Sequence, residues 1–349
     1  GICHSDLSII NGTIGWKLPS VLGHEGAGVV EKTGELVTQV KPGDHVVLSF
    51  IPNCGDCYSC LRSEPYHCKE NKPHGGLLDG TSRVSLNGKE IAVMSFLGNM
   101  AEYCVVPEAC VVSVDKEIDF KAAALVGCGV TTGVGAAIKT AAVEPGSTVA
   151  VFGCGGVGLN VIQGAKIAGA AQVIAVDLSE EKMEIAKTFG ATHTINPANP
   201  AHKEIKALTN GIGVDYAFEV VGSGKLVEAC FKSTRINGST ILVGVGRADD
   251  SFTINAMIMP FTGKTIKGAC ELVRDKKQKT PFPADKAVGA YCLERMKKNG
   301  LLARAIGDAM CLCPPLISSE DEIGEIFVRY TKSLDETLDW AQRQGLLAA

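Results

Sequence analysis

Residues 148–177 read TVAVFGCGGVGLNVIQGAKIAGAAQVIAVD. The apolar run Thr148 to Phe152 leads into Gly153-Cys154-Gly155-Gly156-Val157-Gly158, which fits G-x-G-x-x-G. A helix is expected over Gly156 to Ala168. A second apolar run, Gln172 to Val176, ends at Asp177, nineteen residues past Gly158. A glycine-rich turn alone is common, and a turn without a ligand stays open as an alternative. Strand, turn, helix, strand and acid in this order predict a dinucleotide site. Gly153, Gly155, Gly156, Val157 and Gly158 would lie against the pyrophosphate, and Asp177 would bind the ribose hydroxyls. A carboxylate there repels a 2′-phosphate, so NAD is favoured over NADP.

Outward from this stretch the rhythm stays strand–helix from about residue 131, the signature of a parallel sheet. Further strands are expected at His193 to Ile195, Tyr216 to Val220, Thr240 to Val243 and Thr265 to Lys267. A helix is expected over Glu180 to Phe189, with Ser179 as its N-cap and acids in its first turn. Six strands are the full count of a doubly wound dinucleotide sheet.

Upstream, residues 1 to about 130 read as β-rich. Short apolar runs at Ala27–Val30, His45–Leu48, Tyr103–Val106 and Val111–Val114 are separated by turn residues such as Lys41-Pro42-Gly43-Asp44. Residues 76 to 98 read as a surface lobe. The uncharged stretch Ala122 to Ile138 is interrupted by glycines and threonines. It falls short of the roughly 20 apolar residues of a spanning helix and is expected to be a buried domain junction.

The chain has 349 residues, is 46% hydrophobic and 21% charged, and carries a net charge of -4. That is an ordinary globular composition with no basic excess, which argues against nucleic acid as a partner. Fourteen cysteines without a signal peptide point to metal ligands and reduced core thiols in a cytoplasmic protein. Cys54, Cys57, Cys60 and Cys68 read C-x2-C-x2-C-x7-C. Four thiolates so close in sequence can close a tetrahedral structural zinc; two disulfides or free thiols are the alternative. Cys3, His24 and Cys128 stand apart in glycine-rich settings. A lone Cys or His is more often a core residue, but three such ligands leave a fourth position open for chemistry.

Taken with GICHSD, GHEGAGVVE, PGDHVV, CGDCYSC, GCGVTTG and VIAVD, residues 1 to about 270 resemble the zinc-dependent alcohol dehydrogenases of the medium-chain dehydrogenase/reductase superfamily. The resemblance implies an α/β fold: a GroES-like catalytic domain over residues 1–130, and a Rossmann NAD-binding domain, a doubly wound parallel sheet, over 131–270. It implies a catalytic zinc on Cys3, His24 and Cys128, with Glu25 as a nearby or transient ligand. Asp6 would orient His24, and Ser5 would take the alcohol proton. His4 would stand near the pyrophosphate. Lys182 would lie beside the adenosine ribose, unless it is a solvated helix charge. Two zincs per chain, NAD, a small alcohol or aldehyde substrate and a homodimer pairing at the Thr265–Lys267 edge follow from the same resemblance.

Three departures stand out. Ser8 occupies a position where many relatives carry a proton-relaying His. The leading strand or two expected before Gly1 is not in the sequence, nor is the family's own C-terminal segment. After Cys270 glycines thin out and charge density rises. Residues 271–349 resemble the C-terminal part of class III, PLP-dependent aminotransferases, with Arg304 at a position that can bind a substrate carboxylate, but without the PLP-binding Lys. That tail is expected to be a short α+β segment: a helix over Asp285–Lys298, then a capping box at Ser319-x-x-Glu322. A helix with Ile323, Ile326, Phe327, Tyr330, Leu334, Leu338 and Ala341 on one face follows. The leading reading is an NAD-linked alcohol dehydrogenase. The alternatives are an impaired fusion that keeps only structural zinc and NAD binding, and a PLP aminotransferase fragment.

Overall fold

The computed structural model describes residues 1–62, 64–197 and 200–268, and in the tail 304–306, 309–311, Lys332, Glu336 and Arg343. The chain divides into two compact units, Gly1–Cys54 with Tyr66–Val273, and Gly55–Pro65 with Arg274–Ala349.

The first unit begins with helix α1 (His4–Ile10). A three-stranded antiparallel sheet follows, made of β1 (Ala27–Val29), β2 (His45–Leu48) and β3 (Val111–Ser113), with β2 in the centre. On β2, Val46, Val47 and Leu48 are buried. Tyr103–Val106, expected as a strand, forms none. Tyr103 is 77% and Val105 57% exposed, and a short β-branched run with no ladder to join has nothing to hold it extended.

A continuous helical run, α2 (Phe120–Ala141), joins this sheet to the next layer and contains π-helical turns at Val126–Val130 and Ala136–Ala141. The expected glycine-broken, buried junction is corrected on both counts. The 22-residue run is long and apolar enough to cross a membrane by length and composition. Leu125, Val126 and Ile138 reach solvent. The glycines do not break it because at least one is needed for packing. A Cβ on Gly133 would lie 2.5 Å from Asn160 Cβ and Val157 O on the neighbouring helix.

The larger sheet has six parallel strands: β4 (Thr148–Phe152), β5 (Gln172–Val176), β6 (His193–Ile195), β7 (Val214–Glu219), β8 (Thr234–Leu242) and β9 (Thr265–Gly268). Their spatial order is β6-β5-β4-β7-β8-β9, the doubly wound arrangement with its switch point between β4 and β7. Helices α3 (Gly156–Ile167), α4 (Glu180–Phe189), α5 (Ala201–Leu208) and α6 (Gly224–Ser233) connect the strands. On α4 the Ser179 side chain accepts from Lys182 N.

Alternation along the strands builds a core on each face. Val149, Val151, Val173, Ala175, Phe218 and Ile241 pack with Val161, Ile162 and Ala165 of α3 and with Ala186 of α4. Ala150, Phe152, Ile174, Val176 and Ala217 pack with Ile205 of α5 and Cys230 of α6. Each fully buried large side chain contributes about 1.5–3 kcal/mol. Strand β8 starts six residues earlier than expected. Its Asn237 takes a positive φ of 58°, and the pairing shifts register between Val214 and Tyr216.

In the second unit, Tyr58–Leu61 forms a short helix, and Arg304–Ile306 pairs antiparallel with Ala309–Cys311. Arg304 stands opposite Cys311 in that hairpin. Lys332, Glu336 and Arg343 are helical. The helix expected at Asp285–Lys298, the Ser319-x-x-Glu322 box and the apolar face from Ile323 to Ala341 lie outside the described residues.

Asp215 joins the three central strands. Its Oδ2 accepts from Thr148 N at 2.7 Å and Thr148 Oγ1 at 2.8 Å, and its Oδ1 accepts from Arg235 Nε at 2.6 Å. Burial acts to raise its pKa, but these donors outweigh it and hold the carboxyl below the ordinary range. Such a group stabilises the fold above its unfolded pKa, about 3.9, and the contribution is lost as pH falls through the folded value. Asp215→Ala is expected to cost about 1–3 kcal/mol at neutral pH, and the penalty should shrink in strong acid. Urea unfolding at both pH values checks this.

Candidate active site

Two clusters of metal-ligating side chains are present among the described residues. In the first, Cys3 Sγ, Cys128 Sγ and a ring nitrogen of His24 lie within 4.8 Å of one another. Cys3 is half-buried; His24 and Cys128 are buried. Three separate segments deliver them, and backbone sterics explain how. Cys3 is the N-cap of α1. His24 sits in a turn entered through Gly23, whose φ of 100° suits glycine. Gly127 precedes Cys128, and a Cβ there would collide with the Leu48 carbonyl oxygen at the end of β2. Phe50 stands edge-on to the His24 ring at 5.3 Å.

Asp6, 2% exposed, ties two of these segments together. Its Oδ2 accepts from Cys3 N at 2.9 Å and its Oδ1 from Gly23 N at 3.0 Å. Oδ1 also lies 3.6 Å from His24 Nδ1, which is an electrostatic contact too long for a hydrogen bond. Burial works to raise the Asp6 pKa, but His24 and the two backbone donors win and lower it. Cys128 is the first cause that draws the Cys3 thiol down to about 3, against burial, with His24 adding to it. His24 is raised to about 9 by Asp6 and Cys3, in spite of burial. Two sulfurs and an imidazole converge here, a donor set that could hold a metal ion.

The donor set fits zinc. Two Zn–S bonds of about 2.3 Å at a tetrahedral angle put the sulfurs about 3.8 Å apart, and Cys3 Sγ and Cys128 Sγ are separated by 3.9 Å. Ser5 Oγ lies 3.7 Å from Cys3 Sγ. Glu25 is buried, and its Oε1 accepts from Gly129 N at 3.1 Å, beside Cys128. His4 is exposed on the first turn of α1.

The second cluster is the loop carrying Cys54, Cys57, Cys60 and Cys68, whose sulfurs all lie within 4.8 Å of one another. Cys57 to Cys60 and Cys68 to Cys54 are each 3.5 Å. No disulfide links the described cysteines. This set also fits a tetrahedral metal, closed because all four positions are sulfur.

The glycine turn lies at the switch point of the six-stranded sheet. Gly153 has a φ of 100°, and a Cβ on it would meet Val221 Cγ2 at 2.6 Å. A Cβ on Gly158 would strike the Gly153 carbonyl oxygen, whereas Gly155 and Gly156 face open space. No side chain caps the α3 N-terminus at Gly155, so its N–H groups stay available to an anion. Val157 is half-buried behind the turn. At the end of β5, Asp177 accepts from Cys154 N at 2.8 Å and from Ser179 N at 2.9 Å. Lys182 is exposed on the first turn of α4. The structure thus brings the three ligands of the first cluster together with Asp6, Ser5 and Glu25, and gathers the turn residues with Asp177.

Asn99 was invisible to sequence reasoning. Its Nδ2 donates to Glu25 O at 2.8 Å and its N donates to Gly23 O at 3.3 Å. Its side chain fills the space that Cβ atoms on Gly23 and Gly26 would need. The one signal was a lone Asn after a glycine, which is too common to single out.

The family described as alcohol dehydrogenase GroES-like domain matches residues 1–116, and that described as zinc-binding dehydrogenase matches 156–280. An alcohol dehydrogenase zinc-binding domain protein from Burkholderia ambifaria is 34% identical, with a TM-score of 0.72 over 77% of this chain and 74% of that one. The benzyl alcohol dehydrogenase of Acinetobacter calcoaceticus is 33% identical, with a TM-score of 0.71 over 78% and 74%. An alcohol dehydrogenase from Thermus sp. ATN1 is 30% identical, with a TM-score of 0.65 over 77% and 74%. With two family matches and this degree of identity over most of both chains, the protein belongs to the zinc-dependent alcohol dehydrogenases of the medium-chain dehydrogenase/reductase type.

Proposed function

We propose that the chain is an NAD-linked alcohol dehydrogenase with a catalytic zinc on Cys3, His24 and Cys128 and a structural zinc on Cys54, Cys57, Cys60 and Cys68. The observation that carries this reading is the open three-ligand cluster, two sulfurs 3.9 Å apart beside a buried imidazole. When bound, the zinc lowers the pKa of an alcohol held against it, and the dinucleotide takes up the hydride.

The chain's own residues do the rest. Asp6 ties the N-terminus of α1 to the segment that carries His24 and places its charge beside the ring, so that two ligands are positioned before metal arrives. Ser5 receives the alcohol proton, which its place next to Cys3 allows. Glu25, anchored by Gly129 N–H, holds a carboxylate behind the ligands. Gly155 and Gly156 leave room for the pyrophosphate, Asp177 takes the ribose hydroxyls, His4 stands near the pyrophosphate and Lys182 lies beside the adenosine ribose. The substrate class is a small alcohol or aldehyde. The tail beyond residue 280, where the zinc-binding dehydrogenase match ends, reads as an aminotransferase-like segment with no part in this reaction. A second copy pairs along β9, an edge strand of the six-stranded sheet.

Elemental analysis of the purified chain is expected to give two zincs, with NADH formed from an alcohol and NAD. His24→Ala should leave one zinc and bring NADH formation to background; two zincs and unchanged turnover in that variant would sink the proposal. Asn99→Ala removes one of the two donors on the Glu25 carbonyl, the Gly1 amine being the other, and is expected to cost about 0.5–1.5 kcal/mol. It should weaken the Cys3 site for zinc about 10–100-fold, measured by chelator competition, while the four-cysteine loop keeps its metal. Light scattering should return the mass of a dimer, and a monomer would remove the pairing along β9.

A further inference from the structure

A cavity of about 330 Å³ lies on the outer side of the six-stranded sheet, between α5, α6 and the segment leading to β9. It shares no residue with the metal ligands or the glycine turn. Three lysines line it: Lys206 from the end of α5, Lys232 from the end of α6, and Lys264 just before β9. His202 adds an imidazole, and Phe231 and Ile258 supply apolar wall.

The charges do not balance. Glu228 is the sole carboxylate in the lining. It stands 3.7 Å from Lys232, and its Oε1 also accepts from Thr253 N at 3.0 Å. Lys206 and Lys264 have no carboxylate partner among the described residues. Lys264 is held in place all the same. Its Nζ donates to Phe231 O at 2.7 Å and lies 4.8 Å from the centre of the Phe231 ring. Burial first, and then Lys206, push its pKa down to about 8, so it is charged at neutral pH at a cost. His202 is lowered by burial and then by Lys232, Lys206 and Lys203. Like charges gathered around a concave surface raise the local potential, and an anion entering there relieves it.

We propose that this cavity binds a phosphate dianion, free or esterified, between the ammonium groups of Lys206 and Lys264, with the organic part of an ester lying on Phe231 and Ile258. The volume falls within the range of small-molecule sites, about 300–1,000 Å³. Two lysines without carboxylates match two negative charges. The apolar wall beside them gives an ester more to hold than a bare ion.

Titration calorimetry of the full chain at constant ionic strength tests this, with inorganic phosphate and phenyl phosphate as probes. The expected result is one saturable site per chain. Lys206→Gln and Lys264→Gln should each weaken it at least tenfold, and Lys187→Gln, an exposed lysine paired with Glu184, should leave it unchanged. Tighter binding of phenyl phosphate identifies an ester as the ligand; equal affinities identify the free ion. Should Lys264→Gln fail to fold, Lys206→Gln carries the test, since no described fold contact uses its amine. Absence of saturable binding, or binding untouched by Lys206→Gln, overturns the proposal. None of these readouts depends on zinc content or alcohol turnover, so this inference and the proposed function can fail separately.

Discussion

The geometry of the proposed metal site depends on one buried carboxylate. Asp6 has two oxygens and spends both on the backbone, one on Cys3 N–H and one on Gly23 N–H. Those bonds lock the N-terminus of α1 against the turn that carries His24, and the imidazole comes to rest beside the same oxygen. A carboxylate buried to this degree is costly unless each lone pair finds a donor. Two amides meet that demand, and in doing so they define where two of the three candidate ligands stand. The third arrives independently through Gly127, which must lack a side chain to pass under the end of β2.

The glycine turn after β4 is built by the same close-approach logic with fewer polar contacts. Gly158 lets α3 start directly against the Gly153 carbonyl, and Gly153 lets the loop after β7 cross it through Val221. The switch point supplies the crevice, because the chain leaves β4 and β7 on opposite sides of the sheet. Asp177 steadies this turn as well as facing it, since it accepts from Cys154 N.

Much of this was legible in the sequence. Strands β4 and β5 begin and end where continuous apolar runs say they should, because a strand buried on both faces leaves no polar alternation to blur its ends. Helix α4 is announced by the Ser179 cap. The four-cysteine loop needs no long-range folding to be recognised. What could not be read depends on contacts made only in three dimensions. Asn99 matters because it fills the space beside two distant glycines. Strand β8 extends back through Asn237-Gly238 because Thr234 pairs with Val214 of β7, and the register shift before Ser239 absorbs the residues between. The run Phe120–Ala141 stays helical through its glycines since helix α3 packs against Gly133. The lysine cavity is assembled from three elements that share no sequence signature.

The cysteines show why residue type alone does not assign a metal site. Cys110 and Cys154 are buried, and burial pushes each thiol up to about 12. Cys230 is raised well above the ordinary thiol value by the same cause. These three behave as small apolar side chains packed among strands and helices. Cys3 also meets burial, yet a second sulfur and an imidazole within reach reverse the outcome. A thiol becomes a ligand when its neighbours make the thiolate cheaper than the thiol, whatever its exposure. That condition explains why Cys154, although it sits inside the glycine turn, belongs to the fold. Cys3, the N-cap of a short helix, meets the condition for a ligand.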